Sequence, residues 1–160
     1  MALIELTPNL ESSLYWPLKK SFEAKKVNVS EETAFYINNL LAGYITSPDF
    51  DSDKPLASMV LDALYTPEKD DRLHKFVAIG DYSFFMSSVF QGHVNRNFGP
   101  CSRVYCIRIG SNSYLEACNL LSPSKKELSN IYNELGTRFI ELVVAVESAF
   151  KNSINSSEIK

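Results

Sequence analysis

Between Leu73 and Phe90 the chain reads LHKFVAIGDYSFFMSSVF, in which Leu73, Phe76, Val77, Gly80, Phe84, Ser87 and Ser88 recur at three- and four-residue steps. That period belongs to one face of a helix, and the small residues on it mark where a second helix can come close. The pattern predicts a central, largely buried helix from about Glu68 to about Gln91. Gly80 marks either a kink in it or a close crossing.

The same reading extends along the rest of the chain. Leu14, Tyr15, Leu18 and Phe22 space a helix over residues 12–26, with Pro17 early enough for a first turn to tolerate it. Ser30 is a good N-cap for a second helix, with Glu31 and Glu32 at its positive end and Phe35, Ile37, Leu40, Leu41, Tyr44 and Ile45 along it to about Thr46. Asp53 and Pro55 open a third helix bearing Leu56, Met59, Val60, Ala63 and Leu64. GHVNRNFGP, residues 92–100, reads as a loop. Val104, Tyr105, Ile107, Tyr114, Leu115, Cys118 and Leu121 predict a helix from Ser102 to Leu121, with a short strand as the alternative at its β-branched start. Ser124 with Glu127 has the spacing of a capping box, and from Leu128 to Phe150 a three-four repeat predicts one long final helix. Residues 1–11 form an arm and Asn152 to Lys160 a polar, frayed tail. The sum is an all-α single-domain bundle of about six helices over residues 1–151, with crossing rather than strictly parallel packing.

Composition narrows the classes. With 160 residues, 45% hydrophobic and 22% charged, the chain can bury a core without disulfides or metal. A net charge of −3 gives no basic footprint for nucleic acid. Cys101, Cys106 and Cys118 are odd in number and contain no CxxC pair, which fits reduced thiols in a cytoplasm rather than a disulfide framework. MALIELTPNLESS lacks the basic start and apolar run of a secretory signal, and no window is apolar for long enough to cross a bilayer. A cytoplasmic protein is expected.

The order of these signals resembles a family of bacterial helical proteins that brings no established activity, substrate or cofactor. VNVSEETAFYINNLLAGY, the Pro-Leu-Ala helix, Ile79-Gly80-Asp81-Tyr82-Ser83-Phe84-Phe85 and the helix with Gly110 and Tyr114 carry the resemblance, which covers residues 14–121. Ser88-Val89-Phe90 and Tyr105-Cys106 stand where such sequences tend to pair aromatics, so no paired-aromatic site is implied. What the resemblance implies is a helical fold.

Few residues suggest chemistry. Asp81 interrupts an apolar helix, and a carboxylate there must find a cation or several donors, or take up a proton. Arg72, Arg103, Arg108, Tyr105 and Tyr114 are its candidate partners. The plainer reading is a contact that fixes helix register; the sharper one is an acid or base in a small-molecule pocket formed by Asp81, Tyr82, Tyr105, Arg108 and Tyr114. His93 is the remaining ligand-binding candidate, and its separation from Cys101 matches no nucleophile mechanism. His74 and His93 are the only histidines and no ExxH pattern is present, so no metal is expected; a lone glycine in IRIGSN gives no phosphate loop, so no cofactor is expected. Glu127, Glu134 and Glu141 recur at sevens as a solvated row. Tyr15, Trp16 and Phe22 are assigned to the core because an amphipathic helix must bury one face, the alternative being an anchor for another protein. The expected function is a non-enzymatic interaction or adaptor module working through a protein partner or a homo-oligomer, with no nucleic acid and no membrane. The alternatives are the pocket at Asp81 and a chaperone for an exported substrate.

Overall fold

A computed structural model describes residues 10–46, 55–89 and 102–159, with side chains placed for 12–46, 55–89 and 103–152. The described residues form seven helices and no strand: α1 (Leu10–Ala24), α2 (Glu31–Thr46), α3 (Leu56–Leu64), α4 (Lys69–Ser88), α5 (Ser102–Leu120), α6 (Lys126–Thr137) and α7 (Phe139–Ile159). The all-α class stands. The chain divides into two compact units, residues 1–49 with 141–160, and residues 50–140.

In the first unit, α1 buries Leu18 and Phe22, one turn apart, and Pro17 sits in its interior rather than its first turn. Pro17 offers no N–H to the carbonyl four residues back, yet the helix persists around this buried stripe. Its end is a Schellman turn: the Val27 N–H donates to the Phe22 carbonyl at 2.8 Å and the Lys26 N–H to the Glu23 carbonyl at 3.1 Å. Lys26 holds φ 57° there, in the left-handed region that favours glycine. Ser30 caps α2 as expected, its Oγ accepting from the Thr33 N–H at 3.2 Å. The Ser21 hydroxyl donates to the Ala145 carbonyl at 2.5 Å and ties α1 to α7.

The second unit is organised by α4. From Tyr82 to Ser88 every residue is buried. Gly80 is a close crossing: a Cβ there would lie 2.7 Å from the Tyr114 ring. Gly110 is tighter still, since a Cβ would lie 2.4 Å from Phe139 Cζ and 2.8 Å from Ser83 Cβ. With Gly80 meeting Tyr114 and Ser83 meeting Gly110, α4 and α5 run antiparallel along a seam of small residues. Phe84 meets Phe139 edge-on at 5.4 Å, and Tyr114 stacks on Tyr132 at 6.0 Å. Lys75 reaches back from α4 to Asp62 at 2.9 Å and Thr66 Oγ1 at 2.9 Å, fixing the turn after α3.

Three expectations about the C-terminal third change. The single long helix is two, α6 and α7, broken at Arg138 with φ −113°. Gly136 packs against Leu115, and its carbonyl accepts from Ser111 Oγ at 2.6 Å, so a carbonyl that would continue the helical ladder is engaged by α5. The capping box does not form: Lys125 is the N-cap, and Ser124 instead meets Ser122 Oγ at 3.1 Å. Finally, the helix runs on through Asn152 to Ile159 where a frayed tail is expected. The expected loop over 92–100 lies outside the described residues, as do residues 1–9 of the arm expected over 1–11, whose Leu10 and Glu11 instead begin α1.

Candidate functional site

Of the residues expected around Asp81, Tyr114 is brought to it. The Tyr114 hydroxyl, on a fully buried ring, donates to Asp81 Oδ1 at 2.6 Å. Asp81 is half-buried, and the bond joins α4 to α5 beside the Gly80 crossing. Tyr82, next along α4, is buried with 4% exposure, whereas Tyr105 and Arg108 lie on the exposed side of α5. Arg72, another expected partner, donates to the Thr66 carbonyl at 3.2 Å. His93 and Cys101 lie outside the described residues. A short bond of this kind at a tight helix crossing orders the packing of α4 on α5.

Ser83 and Ser87, one turn apart on α4 and fully buried, have hydroxyls without a partner among the described residues. Cys106 is buried, and burial pushes its thiol up to about 11, which keeps it from the reactive thiolate form. His74 is exposed and meets the Asp70 carbonyl at 2.8 Å through Nδ1. Among the described residues, no three of His, Cys, Asp and Glu gather as they would around a metal ion, and no helix is long and apolar enough to cross a membrane.

The first unit presents a different surface. Trp16 is 67% exposed and Phe35 57% exposed, so the assignment of Trp16 to the core is corrected. The cause is angular: Trp16 lies two residues from Leu18, and Phe35 two from Ile37, so each points roughly 200° away from the buried row of its helix. Tyr15 meets Trp16 edge-on at 5.8 Å, and these two rings with Phe35, Ser12 and Asn38 line a concavity of about 290 Å³. On the other side of Trp16, a second concavity of about 720 Å³ runs between α1 and α7, lined by Pro17, Lys20, Ser21, Ala24, Ser148, Ala149 and Asn152.

Polar bonds hold this aromatic platform. The Tyr15 hydroxyl donates to Glu31 Oε2 and the Lys19 ammonium to Glu31 Oε1, linking α1 to the first turn of α2. Lys19 Nζ also lies 5.8 Å from the Tyr15 ring centre. The bond from Lys19, and then that from Tyr15, holds the Glu31 carboxyl below its ordinary range. The same bonds to Glu31 raise both Lys19 and Tyr15. All three groups therefore keep their bonded charge states around neutral pH, and Tyr15 is fixed beside Trp16.

No family model, no curated protein and no solved structure matches this chain.

Proposed function

We propose that the protein is a non-enzymatic interaction or adaptor module of a bacterial cytoplasm, binding a protein partner through the outward face of α1. The observation that carries this reading is the exposed Trp16, flanked by concavities on both sides and braced by Tyr15. Large aromatic side chains supply much of the binding energy of protein interfaces when a partner covers them, and here the anchor is presented already ordered. The pocket reading at Asp81 draws less support, because Tyr114 engages the carboxylate inside a tight helix crossing.

The test is affinity capture from the native host with wild type and Trp16→Ala side by side, each partner being identified and quantified. A protein retained by the wild type and lost with Trp16→Ala is the expected result. Equal retention by both, or no specific partner for either, overturns the reading.

A further inference from the structure

The larger concavity beside Trp16 has a defined shape and a defined charge. Trp16, Lys20 and Ala24 follow one another at four-residue steps along α1, a single ridge of that helix. Ser148 and Asn152 make the matching four-residue step on α7, with Ala149 beside them. The floor between the two ridges consists of small side chains, so a third helix can approach closely. The ridge from Trp16 to Ala24 spans about 12 Å, or two helical turns.

Among the described residues, Lys20 is the one charged side chain lining this groove. Lys19 pairs with Glu31, Lys75 with Asp62 and Lys151 with Glu147. Lys20 is exposed and has no carboxylate partner among the described residues, and just beyond Ala24 the exposed Lys25 and Lys26 add positive charge at the same end of α1. In a chain of net charge −3, this groove is a local positive site with an apolar anchor.

Resting on the interaction-module reading, we infer that the groove between α1 and α7 docks an acidic amphipathic helix of a partner protein. Its apolar side chains lie on Trp16, Ala24 and Ala149, and a carboxylate pairs with Lys20. Helix-in-groove recognition requires this pairing of an apolar stripe with a complementary charge, and the charge sets the choice among otherwise similar helices.

The test uses the full chain and two synthetic amphipathic helical peptides of about four turns each, identical in their leucine and phenylalanine stripe, one with glutamates and one with lysines on the polar face. Trp16 is the only tryptophan in the chain, so its emission reports the groove directly. Expected is a saturable blue shift with the acidic peptide, weakened about tenfold by Lys20→Glu and weakened again when salt rises from ~50 to ~500 mM. The basic peptide should bind more weakly to the wild type and gain with Lys20→Glu.

Equal or tighter binding of the basic peptide to the wild type overturns the inference, as does an acidic peptide that leaves the emission unchanged. A groove covered by another segment of the same chain would show as emission already blue-shifted and insensitive to either peptide. A groove covered by a second copy would show as emission that depends on protein concentration; each of these outcomes also overturns it. If host capture is lost with Trp16→Ala but unaffected by Lys20→Glu, the interaction module stands and the acidic helix falls.

Discussion

Two aromatic clusters in this protein use the same kinds of side chain and end in opposite surroundings. In the second unit Phe84, Phe139, Tyr114 and Tyr132 are all buried, packed ring against ring where Gly80, Ser83 and Gly110 let α4 and α5 come together. In the first unit Trp16 and Phe35 stand largely in solvent although they too sit on amphipathic helices. The difference lies in register. The buried rings lie where glycines open space for them, whereas the exposed pair sits two residues out of phase with Leu18 and Ile37. Aromatic content alone does not make a core, and a well-formed helix can carry both a packed face and an anchor on its back.

The sharpest way to break this comparison is to empty the buried cluster. Phe139→Ala removes a ring that meets Phe84 and Tyr114 and fills the space over Gly110, and should cost about 3–5 kcal/mol in urea unfolding. A loss below about 1 kcal/mol would contradict the packing of the seam. Next in size, Tyr114→Phe deletes the donor to Asp81 while keeping the ring, with an expected loss of about 1–2 kcal/mol; Asp81→Asn, which keeps an acceptor oxygen, should cost less. Reversal of that order would mean that the charge of Asp81 matters more to stability than the Tyr114 donor.

On the first unit the effects are smaller and one has the opposite sign. Lys26→Gly relieves a left-handed residue at the end of α1 and should stabilise by about 0.5–1 kcal/mol, seen as a raised unfolding midpoint. Destabilisation would mean that the Lys26 side chain contributes more than its backbone costs. Last, Trp16→Ala should leave stability within about 0.5 kcal/mol of wild type by the same unfolding assay, although it removes the largest side chain of the cluster. A core-sized loss would show that Trp16 serves the fold and not a partner.

The helices themselves were written in local pattern. Ser30 caps α2, Thr46 ends it, Pro55 precedes α3 and Ser102 opens α5, as sequence leads one to expect, because caps and periodicity act within a few residues. Tyr114 was legible as a candidate partner of Asp81, though only as one among five. Trp16 carried a readable signal that was overlooked: its two-residue offset from Leu18 outweighs its hydrophobicity. The break before α7 had a weaker one in Gly136 and Thr137, masked by an apolar repeat that continues across it.

By itself, then, the sequence determined an all-α chain, the positions of most helices and the face each can bury. Tertiary structure decided which small residues become crossings, that Tyr114 meets Asp81, and that Ser111 takes the Gly136 carbonyl and ends α6. It also left Trp16 largely exposed beside a groove lined by Lys20. The physical reason is range: helical period and capping are set by neighbours within a turn, whereas these contacts join residues 25 or more apart, as the 33-residue separation of Asp81 and Tyr114 shows.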